Sequence, residues 1–181
     1  MGIVYKKSFT LIETIVVIAV IGLILPVIFS IFFVLLQQQT KIYRLNTVKK
    51  EGDFVISLME STIKNRAVNI YNSAVLNDAN IVCKGETPGD SYNNPYFLDD
   101  NNKFFSYKLN GTKIASDSAN SVDLTSIYTK VSGFSISCTR NRIYSTPSVL
   151  VSFTIQYNTT STRPEDTASL FYQTKIKLRN Y

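Results

Sequence analysis

The residue with the clearest chemical demand is Glu13, a carboxylate at the start of a long apolar segment. Lys6 and Lys7 precede it, and a nearly unbroken apolar run follows over residues 14–36. That run has about the length that a helix needs to cross a bilayer roughly 30 Å thick. A carboxylate on a lipid-facing helix costs about 2.5–3.5 kcal/mol at mid-bilayer, and somewhat less near the interface. We therefore expect Glu13 to have a partner.

The two lysines also set the expected orientation of this segment. Because the first 36 residues hold no other Lys or Arg, the positive-inside rule keeps residues 1–8 cytoplasmic and the C-terminal part outside. A cleavable secretory signal has an apolar core of about 7–15 residues followed by a small-residue cleavage site, which this run does not match. We expect a single-pass protein of the inner or cytoplasmic membrane.

Two cysteines, Cys83 and Cys138, lie on the outward side of the predicted membrane segment. An oxidising exterior allows them to form a disulfide. The alternative is a pair of buried thiols, since free cysteine is often a core residue. The sequence leaves both interpretations open.

A small basic cluster lies near the C-terminus, where Lys175, Lys177 and Arg179 share the outward face of the last predicted strand. The whole chain has 19 basic and 13 acidic side chains, a net charge of +6. This charge is mild and does not indicate a dedicated nucleic-acid binder. The cluster could contact a DNA backbone, or it could be a solvated face whose lysines protect a sheet edge.

Residues that would support catalysis are scarce. The sequence has no His, no Cys-x-x-Cys pair and no glycine-rich phosphate loop, so we expect neither an enzyme nor a bound cofactor. The segment Asp99–Asn102 offers oxygen ligands, but its spacing does not match a calcium-binding EF-hand loop. A plain turn is favoured there, and no metal is expected.

One long helix must position Glu13. After residues 37–40 the pattern becomes amphipathic, and we predict a helix from about Thr10 to about Arg66, with a transmembrane half over residues 9–36 and an amphipathic half over 37–67. Pro26 removes the partner of the Gly22 carbonyl, so a kink or local loosening is expected there. The amphipathic half has apolar residues every three or four positions, namely Ile42, Leu45, Val48, Gly52, Val55, Met59, Ile63 and Ala67.

Residues 68–181 are predicted to form a β-rich globular head. A loop-rich linker is expected over Asn69–Asn102, with one short strand at Ile81–Cys83, and Asn110-Gly111 predicts a hairpin. Apolar and polar residues alternate in three later segments, which predicts an antiparallel sheet with one solvated face. The predicted strands are Phe134–Thr139, Ser148–Asn158 and Ala168–Leu178. The expected fold is therefore α+β, with the long N-terminal helix packed on the sheet.

The stretch from Lys6 to Leu36 resembles the class III signal of type IV prepilins and pseudopilins. The resemblance implies a leader over residues 1–8, cleavage between Ser8 and Phe9, and methylation of the new amine of Phe9. It makes Glu13 the fifth residue of the mature chain, which would pair with the amine of Phe9 in a neighbouring subunit. The family usually has Gly where this chain has Ser8. The helix around Pro26 is often locally melted in such filaments.

The resemblance also implies a function and a set of partners. The chain would be a structural, minor subunit of a type IV pilus or of a type II secretion or competence pseudopilus. Its partners would be the prepilin peptidase and methyltransferase, other pilin subunits, the membrane, and the assembly platform with its motor. The alternative is an uncleaved signal-anchor protein with an extracellular binding domain, because hydropathy alone does not separate the two.

Overall fold

A computed structural model of the chain describes residues 10–179. The chain divides after Thr40 into two compact units, close to the predicted start of the amphipathic segment at residue 37. One helix, α1 (Leu11–Arg66), belongs to both. Its bounds agree with the predicted helix to within one residue at the N-terminus.

The described part of the first unit is the apolar half of α1. Every residue from Thr10 to Thr40 is exposed, so this half contributes no residue to the buried core. The helix is unbroken at Gly22 and at Pro26.

The described part of the second unit has nine strands in two antiparallel sheets. The five-stranded sheet has the order β1-β3-β4-β5-β6 and the four-stranded sheet the order β2-β7-β8-β9. The strands are β1 (Asn69–Tyr71), β2 (Asp90–Asn93), β3 (Tyr96–Leu98), β4 (Phe104–Asn110), β5 (Lys113–Asp117), β6 (Ser121–Asp123), β7 (Thr129–Arg140), β8 (Ser148–Tyr157) and β9 (Ser169–Lys177). A single turn of 3-10 helix covers Asp78–Asn80.

The second half of α1 supplies one wall of the core. Val48, Gly52, Val55, Met59 and Ile63 are buried, as the three- or four-residue spacing predicts, because such residues share one helix face. The stripe begins later than the pattern suggests, since Ile42 is 57% exposed. The opposing wall comes from the inward residues of both sheets, including Phe97, Ile114, Ile136, Val149, Val151, Phe153, Ile155 and Ile176.

The predicted α+β class is confirmed, with a long N-terminal helix and antiparallel sheets, but the expectation of one sheet was wrong. The segment Asn69–Asn102, expected to be a loop-rich linker, contributes β1 and β3 to one sheet and β2 to the other. Ile81–Cys83 is not a strand, and its only ladder contact is a bridge between Tyr71 and Ile81. β1, β2 and β3 have three or four residues each, and an alternating pattern cannot be recognised over so short a length.

The predicted hairpin is present with a shifted turn. Asn110 pairs with Lys113 across β4 and β5, which leaves Gly111 and Thr112 as the two loop residues. Gly111 has φ +61°, a conformation that glycine adopts without steric cost. Asn110 therefore belongs to the strand and is not a central turn residue. The longest strand, β7, contains a bulge between Ser132 and Ser135.

Candidate functional site

Glu13 lies in the first turn of α1, and its nearest polar contact is within its own helix. The backbone amide of Thr10 donates to Oε2 of Glu13 at 3.4 Å. The backbone amide of Glu13 donates in turn to the carbonyl of Thr10 at 3.1 Å. A carboxylate here also interacts favourably with the positive end of the helix dipole. Within the described residues, the charge of Glu13 is thus partly stabilised by its own helix terminus.

Sequence reasoning missed this local role of Glu13, although a signal for it was present. Thr10-Leu11-Ile12-Glu13 has the Thr-x-x-Glu spacing of a capping box, in which the acidic side chain bonds back to the amide of the first residue. Such a box commonly precedes an apolar run. The expected ion pair between Glu13 and the amine of Phe9 involves a residue outside the described part of the chain. The cleavage site at Ser8 and Phe9 and the methylated Phe9 amine lie outside it too.

The apolar half of α1 is long and apolar enough, by length and composition, to cross a membrane. Gly22 lies on it with open space around the position of an added Cβ. The helix continues through Pro26. Membrane helices tolerate a proline when the carbonyl that has lost its hydrogen bond finds another partner. The first unit can therefore serve as a membrane segment or pack against other apolar helices.

The two cysteines are joined in the second unit. Cys83 and Cys138 form a disulfide across a sequence separation of 55 residues, and both are fully buried. Cys83 lies in the irregular segment before β2, and Cys138 lies in β7. The bond therefore ties that segment to the four-stranded sheet.

The predicted basic cluster lies on the side of the four-stranded sheet that faces away from α1. Lys175 and Lys177 are exposed in β9, and Arg179 is exposed just beyond its end. Ile176, between the two lysines, is buried against the core. Because side chains alternate between the two faces of a strand, residues 175, 177 and 179 point to the same side. The three cations therefore lie together at one end of β9, an edge strand.

Polar contacts join Tyr172 of β9 to Lys49 and Asp53 of α1, and we call this group of contacts the polar seam. The hydroxyl of Tyr172 donates to Oδ1 of Asp53 at 2.9 Å and lies 3.1 Å from the carbonyl oxygen of Lys49. Its ring stacks on Phe153 with centroids 5.4 Å apart. Burial, followed by the nearby Asp53 carboxylate, raises the pKa of Tyr172 to about 12. The neutral phenol is therefore the form that this seam stabilises.

Gly52 makes the seam possible, because it lies directly beneath the Tyr172 ring. A Cβ at this position would lie 2.5 Å from Cζ and 2.8 Å from the hydroxyl oxygen of Tyr172. Real Cβ atoms do not approach so closely, so the ring would have to move. The sequence identified Gly52 as part of the apolar stripe, but it gave no signal that Tyr172 was its partner.

Two more groups of contacts fix residues 41–66 of α1 to the strands and loops of the second unit. Glu51 accepts hydrogen bonds from the amide and hydroxyl of Ser126 and from Oγ1 of Thr129, the last at 2.5 Å. Arg44 forms an ion pair with Asp166 at 2.8 Å, and its guanidinium lies 5.1 Å from the ring centroid of Tyr157. These contacts orient residues 41–66 of α1 on the sheets.

The side chain of Asp99 closes the turn in the segment Asp99–Asn102. Its Oδ1 accepts from the amides of Asn101 and Lys103 at 3.0 and 2.7 Å, as in a side-chain-stabilised turn. Within the described residues, no group of three or more His, Cys, Asp or Glu side chains is placed to hold a metal ion.

Comparison with known proteins gives no relative for the chain, because no family model, curated protein or solved structure matches it.

Proposed function

We propose that this chain is a prepilin-like, minor filament subunit, cleaved between Ser8 and Phe9 and methylated on the amine of Phe9. The observation that carries the proposal is that Phe9 and Glu13 directly precede, in the sequence, the apolar residues 14–36, which are exposed on α1. The same helix continues into a disulfide-bonded α+β unit. The apolar helix half would hold the chain in the membrane and later pack against other helices. The bond between Ser8 and Phe9 would be cleaved to release the leader.

Assembly would bury the apolar half of α1 among equivalent helices of other subunits. Residues 14–36 are exposed in the single chain, and burial removes apolar surface from water or lipid contact. Glu13 would then exchange its weak contact with the Thr10 amide for the methylated amine of a neighbouring Phe9. The assembly platform, its motor and the prepilin peptidase would be the required partners.

The filament would be a type IV pilus, or the pseudopilus of a type II secretion or competence system. The second unit would be carried on the filament surface as the part that meets the surroundings. Its two cysteines support an extracytoplasmic location, because disulfides persist in oxidising compartments.

The second candidate function is an uncleaved signal anchor that presents the α+β unit at the cell surface as a monomer. The capping contact between Thr10 and Glu13 favours this candidate, since it gives the carboxylate a role without any neighbouring subunit. Lys6 and Lys7 would then remain in the mature protein.

Processing separates the two candidates. The full chain is produced with an active and with an inactive prepilin peptidase, and its intact mass and N-terminal sequence are determined from membranes. We expect a chain that begins at methylated Phe9 only with the active enzyme. As a control, Ser8→Gly restores the residue usual in the family and should be processed at least as completely. A chain that begins at Met1 or Gly2 under both conditions would overturn the proposal in favour of the anchor.

A further inference from the structure

The outer face of the four-stranded sheet has an unusual composition. Its side chains alternate with the core residues of β2, β7, β8 and β9, and strand pairing places them in continuous cross-strand rows. The face, which we call the hydroxyl face, consists of Ser91, Asn93, Lys130, Ser132, Ser135, Ser137, Thr139, Ser148, Leu150, Ser152, Thr154, Gln156, Ser169, Phe171, Gln173, Lys175 and Lys177.

Most hydroxyls at the centre of this face are available to a ligand. Among the described residues, Ser135, Ser137 and Ser152 make no side-chain hydrogen bond with protein, whereas Thr139 and Ser148 bond to each other at 3.0 Å. Neighbouring strands are about 4.8 Å apart and alternate residues about 6.7 Å apart. The face therefore presents a two-dimensional array of hydrogen-bonding groups.

The charges of the hydroxyl face are of one sign. Its outward positions, all within the described chain, include no Asp or Glu. Lys175 and Lys177 are at one end of the array and Lys130 is at the other. Arg44, Lys108 and Lys113 form ion pairs elsewhere in the described chain, and none of these pairs involves a lysine of the face.

An apolar platform completes the surface. Phe171 is 65% exposed on the edge strand β9, opposite Thr154 in the sheet register. Lysines on an edge strand can be explained as protection against edge-to-edge pairing, but an exposed phenylalanine works against that purpose. Aromatic residues, including phenylalanine, are enriched in protein interfaces relative to the rest of the surface.

We propose that the hydroxyl face binds an acidic polysaccharide. Sugar hydroxyls match the Ser, Thr, Asn and Gln side chains, sugar ring faces match Phe171, and carboxylates match the lysines at the two ends. Duplex DNA fits less well, because it carries about one negative charge per 1.7 Å of axis and would meet a mainly neutral surface. The inference is independent of cleavage and assembly, since a signal-anchored protein would present the same face.

The test uses the full chain in detergent solution and immobilised polygalacturonate as the probe. Neutral dextran and a duplex DNA of similar length are compared at the same salt concentration. We expect binding to polygalacturonate to be at least about tenfold tighter than to dextran, because charged pairs add to the hydrogen bonds.

Three double variants locate the binding surface. Lys175→Gln with Lys177→Gln should weaken polygalacturonate binding about tenfold at low salt. Ser135→Val with Ser152→Val removes a cross-strand hydroxyl pair without changing charge, and should weaken it about threefold or more. Lys49→Gln with Lys50→Gln makes the same charge change on the exposed side of α1 and should leave affinity within about twofold.

Several results would overturn the inference. Tighter binding to duplex DNA, together with no effect of the serine substitutions, would make the face a general cationic surface. Equal weakening by the lysine variants of β9 and α1 would show that only net charge matters. Absence of binding to polygalacturonate at low salt would remove the proposed ligand altogether.

Discussion

At the residue scale, one substitution separates the observed cap made by Glu13 from the ion pair that the proposed function assigns to it. Its contact with the Thr10 amide is a capping interaction, for which Gln serves as well as Glu. An ion pair with a neighbouring amine requires the negative charge. Loss of a cap costs about 0.5–2 kcal/mol, whereas loss of one partner from a buried ion pair costs about 3–5 kcal/mol.

We therefore predict that Glu13→Gln impairs filament incorporation nearly as much as Glu13→Ala, while it lowers the stability of the monomeric chain by no more than about 1 kcal/mol, the size of the lost interaction with the helix dipole. Incorporation is measured by the fraction of subunits in sheared filaments, and membrane levels of the chain serve as the control. Thr14→Ala, one residue further along, is the matched variant and should assemble normally. Normal assembly of Glu13→Gln would mean that the local cap is the whole role of Glu13.

The raised pKa of Tyr172 leads to a second prediction, which concerns the stability of the fold at alkaline pH. In the unfolded chain a tyrosine titrates near pH 10, whereas the folded pKa of Tyr172 is about 12. Between these values the unfolded state has lost the proton that the folded state keeps, so stability falls as pH rises. The contribution is fully present below about pH 10 and is lost as pH approaches 12.

We expect Tyr172→Phe to be less stable than the wild type by about 1 kcal/mol at neutral pH, through the lost hydrogen bonds, and to lose stability less steeply from pH 10 to 12. The measurement is denaturant unfolding in detergent, followed by near-ultraviolet circular dichroism. Tyr144→Phe is the control, because Tyr144 is 99% exposed. Parallel pH profiles for Tyr172→Phe and wild type would contradict the assignment.

At the element scale, the seam between α1 and β9 depends on a glycine in a helix. Replacing a helical glycine by alanine normally stabilises by about 1 kcal/mol. At Gly52 the new Cβ would displace the Tyr172 ring from its contacts with Asp53 and Phe153. The two effects oppose each other, and overpacking costs of about 1–3 kcal/mol should exceed the helical gain.

We predict that Gly52→Ala destabilises the wild-type chain but stabilises a Tyr172→Ala chain by about 1 kcal/mol. A double-mutant cycle of unfolding free energies measures this coupling. Ser57→Ala, at an exposed position of the same helix, should have a small effect of the same sign in both backgrounds. The same sign for Gly52→Ala in both backgrounds would disprove the steric explanation.

The elements differ in how far the sequence predicts them. The long helix, β8 and β9 have strong 3.6- or 2-residue periodicity, and their bounds were predicted to within one or two residues. β1, β2 and β3 are short and lie among Asn, Asp and Pro residues, so their pairing depends on distant strands that local pattern does not reveal. The division into two sheets also depends on strand pairing, since β4, β5 and β6 pair with one another while β7, β8 and β9 form the other sheet, and local pattern does not reveal this.

The candidate site shows a similar contrast. The motif from Phe9 to Glu13 is visible in sequence, because it depends on residue type and spacing alone. The contact of Tyr172 with Gly52 joins residues about 120 positions apart, and the cross-strand rows of the hydroxyl face depend on register. Neither follows from the pattern of a single segment.

At the scale of the whole molecule, the disulfide is the only covalent tie within the described chain beyond the backbone. It closes a loop across a sequence separation of 55 residues, which restricts the unfolded chain. Removing such a bond typically costs about 2–4 kcal/mol.

We predict that Cys83→Ala with Cys138→Ala lowers the free energy of unfolding by about 2–4 kcal/mol. Alanine avoids leaving a polar group at two fully buried positions. Urea unfolding in detergent measures the loss, and wild-type protein treated with a reductant should show a comparable one. A loss below about 1 kcal/mol in both samples would show that the bond contributes little to stability.

The placement of the helical stripe early in the chain, and of its partners late, has a consequence for biogenesis. Ribosomes complete α1 before any strand exists, and β9 follows roughly 100 residues later. At a synthesis rate of about 5–20 residues per second, the apolar stripe from Val48 to Ile63 lacks its last packing partners for roughly 5–20 seconds. Because transiently exposed apolar surface is prone to aggregate, we expect a chaperone or the membrane surface to cover the stripe during this interval. A stop codon before β9 would leave exposed the part of the helix that β9 covers, so truncated products should be cleared by proteases.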